Sequence, residues 1–156
     1  MIKIFGIISI IITGSNLFGQ NHDQFLTKSF LIISSTESLD SAYQIAKEAA
    51  KKTSIFFKDK KIITNETIGA TFPADTCVAN GFEFPCYVAR GRYDDGTYLS
   101  IEYSDAINGF RKGLFIVVAA SGNKNQSSVK SALKLVKPYY PSSYVKVSKV
   151  YMGCIH

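Results

Sequence analysis

Residues 30–52 read FLIISSTESLDSAYQIAKEAAKK. Phe30 to Ile33 is a continuous apolar run, closed by Ser34, Ser35 and Thr36. A short apolar run bounded by turn residues reads as a strand covered on both faces. Ser38 then stands where a helix N-cap belongs. Leu39, Ala42, Tyr43, Ala46, Ala49 and Ala50 follow at helical spacing, so they share one face of an amphipathic helix. Gln44, Lys47, Glu48, Lys51 and Lys52 take the opposite face. A second strand is expected at Ser54 to Phe57, resuming at Lys61 to Thr64. Residues 20–28, ahead of the first strand, read as polar and loose.

The same grammar returns nearer the C-terminus. Residues 114–147 read LFIVVAASGNKNQSSVKSALKLVKPYYPSSYVKV. Leu114 to Ala120 is an apolar strand and Ser121-Gly122-Asn123 a turn. Asn125 or Ser127 can cap a helix that carries Val129, Ala132, Leu133 and Val136 on one face. Pro138 and Pro141 end it. Tyr144 to Tyr151 (YVKVSKVY) alternates as a half-buried strand does. Two strand–helix–strand units therefore flank a central insert, about 65–112.

The insert holds CVANGFEFPC (77–86) and then YVARGRYDDGTYLSIEYS (87–104). Asp95-Gly96 between alternating segments signals a hairpin. A two-residue turn would mix charged and apolar partners. A three-residue turn at Asp94-Asp95-Gly96 separates them, with Tyr87, Ala89, Gly91, Leu99, Ile101 and Tyr103 on one face and Val88, Arg90, Arg92, Tyr98, Ser100 and Glu102 on the other. The three-residue turn is the expected one.

With 156 residues, 46% of them hydrophobic and 19% charged, the chain has the composition of one globular domain. Residues 1–19, MIKIFGIISIIITGSNLFG, place Lys3 before an apolar run too short to span a bilayer, followed by small and polar residues. That is the pattern of a secretory signal peptide, cut after Gly19. Residues 20–156 then form a single α+β domain, exported to the periplasm or the extracellular space. It is not an integral membrane protein once the signal is removed. Cleavage lowers the net charge from +6 to +5. Lysines scattered on helix faces and strand ends suit an anionic wall polymer, a membrane surface or an acidic protein better than nucleic acid.

Export makes disulfides available to the three cysteines. Cys77–Cys86 is the first choice, because that loop is short and carries Asn80-Gly81 and Pro85; Cys86–Cys154 and Cys77–Cys154 are the alternatives. Catalysis by a Ser–His or Cys–His pair needs a base beside the nucleophile. The two histidines, His22 and His156, lie at the chain ends. There is no Cys-x-x-Cys, and no glycine-rich phosphate motif follows a strand. A non-enzymatic protein without metal or cofactor is expected. The candidate binding residues are Arg90, Arg92, Tyr98 and Glu102, since two arginines beside a tyrosine can grip a carboxylate or stack on a sugar or peptide. An ion pair of Glu102 or Asp105 with Arg90 or Arg92 across the strands is the structural alternative.

The doubled strand–helix–strand order behind a secretory signal, in residues 30–52 and 114–147, resembles the sporulation-related repeat (SPOR) domain. The resemblance implies a ferredoxin- or ribonucleoprotein-like sheet with helices on one face, here with an inserted β-hairpin. It also implies binding to peptidoglycan glycan strands, especially those stripped of stem peptides. The chain departs from that family in its long insert and in strands that are apolar on both faces, and no family binding residue is carried over. The alternative expectation is a periplasmic inhibitor or immunity protein that blocks a secreted toxin or wall hydrolase through an exposed hairpin.

Overall fold

The computed structural model describes residues 25–152. The expected 1–19 signal peptide, both histidines and Cys154 lie outside them. The elements run β1 (Phe25–Thr36), α1 (Leu39–Thr53), β2 (Ile63–Asn65), β3 (Gly69–Thr71), α2 (Ala74–Ala79), β4 (Gly96–Tyr103), a 3-10 turn (Ser104–Ala106), β5 (Phe115–Asn123), α3 (Ser127–Val136) and β6 (Tyr144–Tyr151). Four strands pair in the order β4-β5-β1-β6, antiparallel throughout. That is the strand order of a ferredoxin-like split βαβ fold. The α+β class is as expected, and its main sheet is wholly antiparallel.

Local chemistry explains both main helices. The Ser38 hydroxyl accepts from the Ser41 amide at 3.2 Å and caps α1. Asp40 in the first turn and Lys51 and Lys52 in the last complement the helix dipole. The helix ends at Ser54, which turns left-handed (φ 58°) and returns its N–H to the Ala50 carbonyl at 3.0 Å. Ala42, Ala46 and Ala49 are fully buried, and their small side chains let α1 lie close on Leu31 and Ile33 of β1. Val129, Ala132 and Val136 do the same for α3. Both helices thus cover one face of the sheet.

The other face is built differently. Phe30, Ile32, Ile116 and Val118 point away from the helices and pack under Ile107 and Phe110 of the β4–β5 connection. The Phe30 and Phe110 rings meet edge-on at 6.3 Å. This explains why β1 and β5 are apolar on both sides.

Several local expectations are corrected. Residues 54–57 do not form a strand. Phe57 makes a single parallel bridge to Leu99, held by Leu99 N–H to Phe56 O at 2.7 Å and Lys58 N–H to Leu99 O at 2.9 Å. Residues 121–123 continue β5, and the turn falls one step later, at Asn125 (φ 69°). The cap position of α3 is Gln126, whose Oε1 accepts from the Asn123 amide at 2.9 Å. β1 begins at Phe25, so residues 25–28 are strand and not loose.

The largest correction concerns the hairpin. The inserted hairpin is β2–β3, residues 63–71; residues 87–95 are not a strand and do not pair along β4. The β4 edge is taken at Leu99 by the chain leaving α1, and Val88 touches it only through Tyr103 N–H at 2.7 Å. Val88 is buried in the helix-side core, and the chain from Arg90 to Asp95 crosses to the helix-free face. The Cys77–Cys86 disulfide forms as expected, with Cα atoms 5.8 Å apart, and ties α2 to the start of this segment.

Candidate functional site

β4 carries an irregularity between Thr97 and Ser100, opposite Ala120 and Val118 of β5. A bulge of this kind leaves strand carbonyls without ladder donors. Arg90 supplies them. Its guanidinium donates to the carbonyls of Gly96 (3.1 Å), Tyr98 and Val118 (3.0 Å), and to the Ser121 hydroxyl at 3.1 Å. Its Nε–H donates to Ser100 Oγ at 2.9 Å, Ser100 Oγ donates on to Glu102 Oε1 at 3.0 Å, and Nε lies 3.0 Å from that carboxylate oxygen. All five N–H donors of Arg90 are thereby engaged inside the chain. The Tyr98 ring lies 3.8 Å below the guanidinium. Arg90 and Glu102 form a buried ion pair, 3% and 1% exposed.

Two further pairs pin the segment at its far end. Lys28, buried on the same face of β1, holds both oxygens of Asp95 at 2.9 Å and donates to the Arg92 carbonyl. Lys58 holds Asp94 at 2.9 Å and sits 5.0 Å over the Tyr98 ring. Burial pushes the Asp94 carboxyl up, but the Lys58 hydrogen bond, the Tyr98 hydroxyl and the Lys58 charge together outweigh it, and the group titrates below the ordinary Asp value. Burial pushes the Tyr98 phenol far above its ordinary range; the Arg90 charge opposes this, and Asp94 and Glu102 reinforce it.

Between the pinned segment and the β4–β5 connection lies a groove of about 490 Å³. Its floor is the sheet: Lys28, Phe30, Glu102, Ser121 and Val150. One wall is Phe82, Pro85 and Tyr87 from the disulfide loop; the other is Ala106 to Asn108. Phe82 and Tyr87 are exposed at the lip. Tyr151 closes one end, with Arg92 over its ring at 5.8 Å.

The four candidate residues are therefore divided. Arg90, Arg92 and Glu102 line the groove; Tyr98 does not. Tyr98 faces a small void of about 20 Å³ on the other side of Arg90 and Glu102. The expected Arg90–Glu102 pair exists, as part of a buried network and not on a solvated outer face. Sequence reasoning missed Lys28, Phe82, Tyr87 and Tyr151. Lys28 had a signal: it keeps the two-residue phase of Phe30 and Ile32, so a strand extended backwards would have put it on the floor. Phe82 and Tyr87 come from a loop and Tyr151 from the end of β6, and no local pattern brings the three together.

Among the described residues, no three His, Cys, Asp or Glu side chains gather as metal ligands, and no helix is long and apolar enough to cross a membrane. Comparison with protein-family models, with curated proteins and with solved structures finds no match to this chain.

Proposed function

We propose that the protein is an exported, non-enzymatic cell-envelope module, similar in plan to a SPOR domain, that binds peptidoglycan glycan in the groove on its helix-free sheet face. The observation that carries this reading is the groove itself. Aromatic side chains line its lip, a carboxylate lies in its floor, and an Arg–aromatic stack closes one end. Sugar rings present apolar faces to aromatics and hydroxyls to fixed polar groups, so a mostly apolar cleft with a few placed polar atoms suits them. The ferredoxin-like strand order supports the resemblance, and the Cys77–Cys86 disulfide supports export.

The test is co-sedimentation of the mature protein with purified sacculi, intact and amidase-treated. The expected result is stronger pelleting with the treated sacculi, reduced by Tyr87→Ala. Absence from both pellets would overturn the proposal.

A second reading draws on Val78, Phe82, Phe84 and Tyr87, all exposed around the disulfide loop. Such a patch suits a protein partner. An inhibitor or immunity protein would dock through this loop, since residues 87–95 do not project as a hairpin. Retention of a single secreted protein by wild type and not by Phe84→Ala would favour it.

A further inference from the structure

The two edges of the sheet are finished differently. The outer edge of β4 is taken at Leu99 by Phe56 and Lys58, and at Tyr103 by Val88. The outer edge of β6 pairs with no strand among the described residues. Besides the β1 ladder, no backbone–backbone hydrogen bond there reaches residues 144–150. Every second residue of an edge strand turns its N–H and C=O outward, so β6 offers a row of donors and acceptors. Val145 and Val147, opposite Leu31 and Ser29, carry the helix-side face out to this edge, where they stay 37% and 48% exposed.

The charge around that edge has one sign. All 12 Asp and Glu residues of the sequence precede residue 106, while residues 106–152 hold eight lysines and arginines. Lys130, Lys134 and Lys137 are exposed on and just after α3, and Lys149 is exposed on the same side of β6, opposite Thr27. Lys146 lies on the helix-free side, opposite Phe30 and 4.4 Å over the Phe110 ring. None of these five is in an ion pair among the described residues. Cations therefore flank the edge from both faces of the sheet. They disfavour a second copy, whose own β6 would bring like charges against them. They favour a strand of opposite charge. A flat anionic surface lying on the sheet would meet the cations of one face only.

We infer that β6 is a docking edge for an acidic, extended segment of a protein partner, which adds as a further strand of the sheet. Its backbone pairs with the outward groups of β6, its carboxylates face Lys146 and Lys149, and its apolar side chains cover Val145 and Val147. The lysines of α3 add to the field that draws such a segment in. The inference does not depend on the glycan reading; of the residues that carry it, only Lys149 also lines the groove.

The experiment is calorimetric titration with three end-blocked peptides of about eight residues, the length of β6. One alternates valine and glutamate, one alternates valine and lysine, and the third is the glutamate peptide with its amides N-methylated. The glutamate peptide is expected to bind at least about tenfold more tightly than the lysine peptide, and N-methylation to abolish binding. On saturation, amide exchange should slow in residues 144–150 and stay unchanged in β4. Lys146→Glu with Lys149→Glu should reverse the order of the two charged peptides. Phosphatidylglycerol vesicles are titrated in parallel.

No saturable binding of the glutamate peptide up to about 1 mM would overturn the inference and leave the lysines as guards of the edge alone. Equal binding of the N-methylated peptide would overturn it too, since charge without strand pairing would then suffice. So would slowed exchange confined to residues outside 144–150. Protection of 144–150 by the vesicles and by no peptide would give the edge to an anionic lipid surface and overturn the inference as well. Sacculus pelleting is read separately, so failure of the edge leaves the glycan reading standing, and failure of the glycan reading leaves the edge.

Discussion

The two faces of the sheet are closed by different physics. On the helix face, α1 and α3 lay alanines and valines over Leu31, Ile33 and Val117 in apolar contact. On the opposite face the β4–β5 connection packs Ile107 and Phe110 on the sheet, while residues 90–95 are fixed one ion pair at a time: Arg90 to Glu102, Lys28 to Asp95, Lys58 to Asp94. Apolar packing is non-directional and fills its space. Ion pairs are directional and hold a loop at set points, so the loop can bridge the sheet without filling the room beneath it. The groove is what remains between those points. A surface meant to receive a ligand is more readily made the second way.

That contrast can be broken at Arg90. Replacing it with Met leaves Glu102 buried without its counter-ion and strips donors from the carbonyls of Gly96, Tyr98 and Val118. A loss of about 3–5 kcal/mol is expected by urea denaturation. Arg90→Met with Glu102→Met should regain part of that loss, because the stranded charge is gone. A cost near that of a surface substitution would mean that the pair does not hold the segment.

The helix face should behave as ordinary core. Leu31→Ala is expected to cost about 3 kcal/mol in the same measurement, and no second substitution at a single partner should restore it. The disulfide comes next. Cys77→Ser with Cys86→Ser should cost about 2–3 kcal/mol through the freed loop entropy. Amide exchange should quicken in residues 78–87, the groove wall, and not in α1.

Asp94→Asn is a smaller test, about 0.5 kcal/mol, because its pair with Lys58 is partly exposed. The sign of its pH dependence follows from the lowered carboxyl value. The stabilisation is complete above the ordinary value of 3.8 and is lost as pH falls through the lower folded value. Wild type and variant should therefore converge in acid and differ at neutral pH. Last is Tyr87→Ala, at a side chain 60% exposed. Its stability should match wild type within about 0.5 kcal/mol while sacculus pelleting falls, which would separate the groove's lip from its supports.

How much was legible follows from the same division. Strand β6 falls on its expected residues, α1 starts at its expected cap, and α3 stops before Pro138. Each is a local pattern, with a period and a punctuation mark. The α+β class and the helix-covered face follow from the same signals. The 87–103 hairpin failed in its face pattern as well as in its pairing: Val88, expected opposite Leu99 and Ile101, enters the helix-side core with them, and Tyr87, expected beside them, is exposed. Residues 87–95 leave the strand direction, and Arg90 reaches the bulge. Cys77–Cys86 was legible because a short loop leaves few alternatives.

The sequence by itself determined the periods: which residues form strands and helices, which side of each helix is apolar, and which cysteines lie within reach. Those are set by neighbours a few positions away. Only the tertiary structure decided that Arg90 serves a bulge in β4, that Lys28 closes on Asp95 across 67 positions, and that β6 stands at the edge of the sheet. Those depend on where distant backbone groups are left unpaired, and no spacing along the chain records that.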